Sequence, residues 1–192
     1  SFKMGGQLEY SGADTRFEGY TLATTQAHVL ALYKDGQPVN SLQAGEAGVV
    51  VLDNTAFYAE GGGQVGDVGE IAATGGLDAL FDVKDTQKIT ASVFGHHGAL
   101  SRGSLKVGDS VTATIDLHAR RATQRNHSAT HLLHSALRHV LGSHVQQKGS
   151  LVNPERARFD FAHGQPVSAA ELAEVERLVN QAILANHEVK AE

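Results

Sequence analysis

The segment His28-Val-Leu-Ala-Leu-Tyr-Lys-Asp-Gly-Gln37 decides the fold of the first part of the chain. Residues 28–33 have the alternation of a strand, and the Asp-Gly dipeptide that follows is a strong signal for a two-residue hairpin turn. The next apolar run, Gly48-Val-Val-Val-Leu52, is β-branched and suits a buried strand. The chain is therefore predicted to begin an antiparallel sheet here.

Further strands are predicted in close succession, with no helix between them. They cover residues 70–72, 80–83, 91–94 and 110–115. Short strands at such regular spacing are typical of a small antiparallel barrel. We therefore expect a β-barrel domain over residues 1–116.

The sequence changes character near residue 117. Residues 119–141 contain no Gly or Pro, their apolar side chains recur at helical spacing, and Gly142 is a natural C-terminal stop. Two strands are predicted at 145–151 and 157–161. Ser168-Ala-Ala-Glu171 is a capping box that predicts the start of a second helix. The fold class is thus α+β, with a second domain over residues 117–192 made of a helix, a hairpin and a helix.

Composition restricts the class of protein. The chain has 192 residues, 41% of them hydrophobic and 19% charged, with a net charge of −5, no cysteine and eleven histidines. These values are typical of a globular protein and argue against a strongly basic nucleic-acid coat. Disulfides and zinc sites with an internal thiolate are excluded. No apolar run approaches membrane-spanning length, and no signal peptide is present, so we expect a cytoplasmic protein with no membrane partner.

A histidine cluster lies on the first predicted helix. His127 and His131 are four residues apart and project from one face, and with His134 and Arg138 they fall within a sector of roughly 60°. Two imidazoles at this spacing present two nitrogens to one zinc ion, although the His-Glu-x-x-His pattern of metalloproteases is absent. A solvated polar face is the alternative. The other histidines show no second pair.

A glycine-rich turn follows the buried strand. Residues 61–66 formally match the dinucleotide pattern G-x-G-x-x-G, but the chain continues into another strand, so no βαβ unit exists and the match is rejected. The turn is either structural or part of a ligand site. Thr55, Tyr58, Glu60 and Gln64 favour a site, because they lie beside backbone that a ligand can approach closely.

Basic residues concentrate around the same predicted helix and hairpin. They are Arg120, Arg121, Arg125, Arg138, Arg156 and Arg158. Either they form a solvated surface, or they contact RNA phosphates, which gives salt-dependent affinity without sequence specificity.

Two of these segments together resemble the editing region of alanyl-tRNA synthetase. They are Thr55-Ala-Phe-Tyr-Ala-Glu-Gly-Gly-Gly-Gln64 and Arg125-Asn-His-Ser-Ala-Thr-His-Leu-Leu-His134, and the match continues through Gln147-Lys-Gly-Ser-Leu-Val152 and Arg158-Phe-Asp-Phe161. The resemblance covers nearly the whole chain. It implies a translation-factor-like β-barrel followed by an α+β editing domain shared with threonyl-tRNA synthetase.

The resemblance also implies a zinc site, for which the family uses His-x-x-x-His and a later Cys-x-x-x-His. His127 and His131 match the first pair, and the second pair has no counterpart in this chain. The chain is therefore expected to be a fragment of a longer synthetase, truncated within its editing domain. The parent enzyme would join alanine to tRNA(Ala) with ATP at a site upstream.

The implied reaction is hydrolysis of serine or glycine wrongly attached to the acceptor end of tRNA(Ala). An alanine pocket discriminates poorly against glycine, because one methyl group is worth only about 1–3 kcal/mol. A second site that hydrogen-bonds the serine hydroxyl discriminates better. By resemblance, Thr55 reads that hydroxyl and Gln64 matches the glutamine that ends the glycine loop, while Glu60 and His134 orient water or brace the pocket.

Three other functions stay open at this point. The chain could be a catalytically incomplete fragment that contacts tRNA, since half of the metal site is missing. It could resemble the free-standing editing proteins of the same family. Gly62-Gly-Gln64 is also the ester-hydrolysing tripeptide of peptide release factors, but the surrounding strands and the histidine helix give that reading no support.

Overall fold

The computed structural model describes residues 7–190, with side chains described to residue 185. The chain divides into two compact units, Ser1–Arg120 and Arg121–Glu192. The strands are β1 (Arg16–Phe17), β2 (Thr24–Lys34), β3 (Gln37–Val39), β4 (Ser41–Gln43), β5 (Ala47–Leu52), β6 (Asn54–Thr55), β7 (Gly69–Ala73), β8 (Leu80–Thr90), β9 (Val93–Arg102), β10 (Ser104–Lys106), β11 (Ser110–Ile115), β12 (Gln146–Val152) and β13 (Ala157–Ala162). The helices are α1 (Leu117–Leu141) and α2 (Ala169–Lys190).

The first unit is a closed antiparallel barrel of six strands. Its strand order is β11-β7-β8-β9-β5-β2, and β11 also pairs with β2, which closes the sheet; β3 extends it beside β2. The interior is filled by apolar side chains from every barrel strand, including Leu32, Val50, Phe81, Leu100 and Val111. The predicted barrel and the α+β class are confirmed.

Local sequence explains how the barrel strands are joined. Asp35 and Gly36 both have positive φ, 51° and 77°, as the central residues of a type I′ turn require, so the predicted hairpin of β2 and β3 forms. All of β5 after Ala47 is buried, in agreement with its β-branched run.

The predicted strands at 80–83 and 91–94 differ from the structure in their bounds. They are parts of one long hairpin, β8 and β9, and residues 91–92 form its turn instead of starting a strand. The second half of β8 is polar apart from Ile89 and has bulges in its pairing, so its sequence lacks the apolar alternation that identifies a strand.

The second unit contains α1 from Arg121 onward, the β12–β13 hairpin and α2. Its core is formed by Ala136, Leu137, Val145 and Val175, against which Phe161 and other half-buried apolar residues pack. The tight turn between the strands is held by Asn153, whose Oδ1 accepts hydrogen bonds from the backbone N–H groups of Glu155 and Arg156, both at 2.9 Å.

The capping box at the start of α2 is confirmed. The Ser168 hydroxyl accepts a bond from the Glu171 N–H at 3.1 Å, and Glu171 Oε1 accepts one from the Ser168 N–H at 3.0 Å. Leu172, in contrast, is 60% exposed, although its spacing places it with the core face of the helix. None of the helices, over the residues described, is long and apolar enough to span a membrane.

Candidate functional site

The glycine-rich segment forms a tight turn in the barrel unit. Gly62 and Gly63 have positive φ, 59° and 82°, and the backbones of Gly61 and Gln64 exchange two hydrogen bonds of 3.1 and 3.0 Å across them. The Tyr58 hydroxyl donates to the Gly61 carbonyl at 3.1 Å. No heavy atom lies within 4 Å of the place where a Gly62 Cβ would be, so the outer side of the turn is open. Gln64 ends the turn and is half-buried.

Thr55 lies at the start of this segment and is fully buried. His96 Nδ1 lies 2.8 Å from the Val50 carbonyl, an acceptor, so the Nδ1–H donates there and Nε2 is left to accept. The Thr55 hydroxyl, 2.8 Å from Nε2, therefore donates to it, and the same oxygen accepts the Phe57 N–H at 3.1 Å. Burial lowers the pKa of His96 from 6.5 to about 4, which keeps this tautomer neutral.

Sequence reasoning did not identify His96. The predicted strand ended at residue 94, whereas β9 continues to Arg102 and directs His96 into the barrel. A strand extended through residues 95–98 would have placed His96 on the same face as Phe94, so the alternation was the signal that could have found it.

An ion pair fixes the same segment from its other side. The Arg120 guanidinium binds both carboxylate oxygens of Asp67 and donates to the carbonyls of Gly19 and Ala56, each at 2.7 Å. Asp67 Oδ2 also accepts the Tyr58 N–H at 2.8 Å. The prediction that Arg120 belongs to a basic surface is wrong, because its guanidinium is nearly buried and paired with the Asp67 carboxylate.

Glu60 lies on the outside of the turn region. Its side chain is exposed and accepts a hydrogen bond from the Gln87 amide, and its backbone N–H donates to the Thr86 carbonyl at 2.9 Å. Thr55, Glu60 and Gln64 thus lie on one short segment of the barrel unit, with Thr55 buried, Gln64 half-buried and Glu60 exposed.

The histidine pair on α1 has the geometry that its spacing predicts. His127 Nε2 and His131 Nε2 lie 3.0 Å apart, and the two rings are nearly perpendicular, at 81°. His131 is exposed and His127 is half-buried. Two imidazole nitrogens bound to one tetrahedral zinc ion, each about 2.0–2.1 Å from the metal, lie about 3.3 Å apart. The pair therefore fits two positions of a zinc site.

His134 lies one turn further along α1. Its ring packs against Phe159 of β13 at 5.1 Å between centroids. Within the described residues, His134 Nε2 and His127 Nδ1 are both buried without a hydrogen-bond partner. This side of α1 is therefore not the fully solvated polar face that the sequence left open as an alternative.

A second histidine pair occurs where none was predicted. His144 Nε2 lies 2.8 Å from His163 Nδ1. The two residues are nineteen positions apart, and only the pairing of β12 with β13 brings them together, so helical spacing gave no signal. Nowhere in the described part of the chain do three or more metal-binding side chains converge. The arginines of the second unit that sequence analysis singled out, Arg121, Arg125, Arg138, Arg156 and Arg158, are exposed.

Comparison with known proteins relates this architecture to the synthetases. Residues 4–119 match the family model described as tRNA synthetases class II (A). The chain is 61% identical to the alanine--tRNA ligase of Methylobacillus flagellatus over 185 aligned residues. These residues are 96% of this chain and 21% of that protein. It is 59% identical over 190 residues to the alanine--tRNA ligase of Acidovorax sp. (strain JS42), covering 99% of this chain and 21% of the relative.

A third relative gives the same result. The alanine--tRNA ligase of Neisseria meningitidis serogroup C is 59% identical over 191 residues, covering 100% of this chain and 22% of the relative. The chain thus spans about a fifth of the length of the curated relatives it matches. The predicted resemblance to alanyl-tRNA synthetase is confirmed, and the chain belongs to the class II (A) tRNA synthetase family.

Proposed function

We propose that this chain is the region of a cytoplasmic alanine–tRNA ligase that hydrolyses Ser-tRNA(Ala) and Gly-tRNA(Ala), in an enzyme that joins alanine to tRNA(Ala) with ATP. The second unit would then be of the α+β type that threonyl-tRNA synthetase shares, and the barrel would be translation-factor-like. The substrate is the mischarged acceptor end of tRNA(Ala). The remainder of the synthetase is the natural partner of the chain.

The observation that carries this proposal is the convergence of His127 Nε2 and His131 Nε2, 3.0 Å apart on α1. A neutral imidazole pair at i and i+4 is an established way to bind zinc, and opening the pair by about 0.3 Å would allow both nitrogens to bind one ion. Two ligands leave the site short of the usual four, so water or donors outside the described residues would complete it. When bound, zinc supplies a Lewis acid for ester hydrolysis.

The chain's own residues would then act on the substrate. By the family resemblance, Thr55 is proposed to read the serine hydroxyl. Its hydrogen is donated to His96, one lone pair accepts the Phe57 N–H and a second lone pair is free, but the side chain is fully buried, so contact with serine requires this segment to open. Gln64 would orient the ester beside the open glycine turn, and Glu60 or His134 would hold water. Alanine lacks the hydroxyl and gains no bond from Thr55, so it is hydrolysed less readily.

The test is deacylation of Ser-tRNA(Ala) by the intact synthetase that contains this sequence. In the His131→Ala variant we expect deacylation to fall by at least about 100-fold, because a zinc ligand is lost. Aminoacylation with alanine should be unchanged. The matched control is His139→Ala, which removes an exposed histidine from the same helix and should retain deacylation. Equal deacylation by His131→Ala and the control would refute the proposal.

A second candidate function is a tRNA-contacting role without catalysis. It is favoured by the absence of a third metal-binding side chain beside the pair, as far as the structure describes the chain, and by the exposed arginines of the second unit. Zinc analysis of the 192-residue chain separates the two: a zinc equivalent that is lost in His127→Ala favours the catalytic function, whereas salt-dependent tRNA binding with a zinc content that His127→Ala does not change favours the contact role.

A further inference from the structure

The histidine pair of the second unit is built by the hairpin and not by a helix. His144 lies two residues before β12 and His163 directly follows β13. The last residues paired between these strands are Gln146 and Ala162, so the backbone holds the two histidines across the open end of the hairpin. His144 Nε2 and His163 Nδ1 face each other at 2.8 Å, with their ring planes 25° apart.

The position of the His144 ring is fixed by its neighbours. Gly142 ends α1 with φ of 120°, and a Cβ on Gly142 would lie 2.8 Å from His144 Nδ1 and 3.0 Å from Cε1, so the ring occupies space that only glycine leaves free. The next residue, Val145, is fully buried in the core of the unit, and its N–H donates to the Gly142 carbonyl at 3.3 Å. His144 is therefore positioned by Gly142, which follows the end of α1, and by the buried Val145.

Two imidazole nitrogens that face each other can be joined in two ways. With one hydrogen between them they make a single N–H···N bond, and one ring must be the acceptor. With a transition metal between them both act as ligands, about 3.3 Å apart around a tetrahedral ion, which requires the pair to open by about 0.5 Å. His144 is exposed and His163 is half-exposed, so an ion has access.

Glu171, in the capping box of α2, interacts electrostatically with His163. The pKa of Glu171 is lowered, first by its hydrogen bonds with the backbone and side chain of Ser168 and then by the nearby His163. The capping box holds the Glu171 carboxylate in place, because Oε1 accepts the Ser168 N–H at 3.0 Å. The electrostatic interaction of Glu171 with His163 favours a cation at the pair over a neutral ligand, although Glu171 does not join the two histidines as a third converging side chain.

We propose that His144 and His163 form a second binding site for a divalent transition metal ion of the zinc class, separate from His127 and His131. The site joins the end of α1 to the end of β13, and water completes the coordination of the ion. Bound metal closes the open end of the hairpin and stabilises the second unit, since it binds the folded pair and not the separated histidines of an unfolded chain. The inference does not depend on the editing function.

The experiment uses the 192-residue chain carrying His127→Ala and His131→Ala, which removes the first pair. Zinc is titrated in competition with a chromophoric chelator, and Co²⁺ absorption reports the ligand set. We expect one zinc equivalent in this background. Adding either His144→Ala or His163→Ala should abolish that equivalent. Adding His139→Ala, an exposed histidine that the structure places in neither pair, should leave it unchanged.

Each outcome decides the proposal. Absence of zinc binding in the background, or equal zinc affinity in His144→Ala, His163→Ala and the His139→Ala control, overturns it. Far-UV circular dichroism checks that the variants fold, and His144→Gln serves as a second, polar replacement that lacks the imidazole ligand. Because the readout is metal binding without His127 and His131, its failure is distinguishable from failure of Ser-tRNA(Ala) deacylation.

Discussion

At the scale of single residues, His96 is held on both of its ring nitrogens inside the barrel. Its ring is fully buried, donates to the Val50 carbonyl and accepts from the Thr55 hydroxyl. The ring edge also contacts Phe57, at 5.1 Å between centroids. Protonation would place a positive charge in this apolar surrounding. It would also put a hydrogen on Nε2, which could then no longer accept from the Thr55 hydroxyl, so the fold depends on the neutral form.

The His96→Gln variant should show a weaker loss of stability in acid. The pKa of His96 is lowered from 6.5 to about 4 in the folded chain, so between these values the unfolded state binds more protons and stability falls as pH falls. Between pH 7 and pH 5 this group removes about 2 kcal/mol from the free energy of unfolding. Urea unfolding at both pH values should show that the variant loses less over the interval.

The control for this measurement is His139→Gln, which alters an exposed histidine outside the barrel. Its loss of unfolding free energy between pH 7 and pH 5 should equal that of the parent chain. If the free energy of unfolding of His96→Gln has the same pH dependence as that of the control, burial does not lower the pKa of His96.

Thr55→Val in the intact synthetase should lower the preference for Ser-tRNA(Ala) over Ala-tRNA(Ala) by roughly fivefold, the value of one neutral hydrogen bond of about 1 kcal/mol. Valine keeps the shape of the side chain and removes its hydroxyl. Thr55→Ser is the control, since it preserves the bonds to His96 and Phe57. The measurement is the ratio of deacylation rates for the two tRNAs. An unchanged ratio in Thr55→Val, in folded protein, would remove Thr55 from substrate recognition.

At the scale of elements, local signals in the sequence decided where prediction succeeded. The Asp35-Gly36 turn, the Ser168 capping box and the glycine stop at 142 each act over a few residues, and each is found in the structure. The second half of β8 was missed, because its residues are mostly polar and its bulged pairing with β9 interrupts the apolar alternation that identifies a strand. Burial of Arg120 was missed for a different reason, because its partner Asp67 is distant in sequence.

The Arg120–Asp67 contact joins the first turn of α1 to the barrel. Arg120→Met should destabilise the barrel unit by about 3–5 kcal/mol, because it leaves a nearly buried carboxylate without its partner. The double variant Arg120→Met/Asp67→Asn should be less destabilised, since no unpaired charge remains and the amide oxygen of the new side chain would still accept the Tyr58 N–H. Urea unfolding measures both.

An exposed ion pair provides the comparison. Arg102 binds Asp78 at 2.7 Å, but their side chains are 58% and 81% exposed. Arg102→Met should therefore cost under about 1 kcal/mol. A similar cost for Arg120→Met and Arg102→Met would mean that burial does not strengthen the Asp67 contact.

At the scale of the whole molecule, the two units differ in the size of their cores. Barrel strands contribute many fully buried side chains, among them Leu32, Val50, Leu52 and Phe81. Buried residues of the second unit, among those described, are few and the rest of its apolar residues are only half-buried. Stability from burial scales with the apolar area removed from water, so we expect the barrel to be the more stable unit.

This difference predicts slower amide hydrogen exchange in β5 than in β12. The strand β5 is buried over nearly its whole length, whereas the first residues of β12 are exposed. Within the second unit, Leu137→Ala should remove about 2–5 kcal/mol of packing and accelerate exchange in β12 further. Leu172→Ala is the matched control, since that leucine is 60% exposed and its truncation should leave β12 exchange unchanged. Equal protection of β5 and β12, measured by exchange and mass spectrometry, would show that core size does not set the stability of these units.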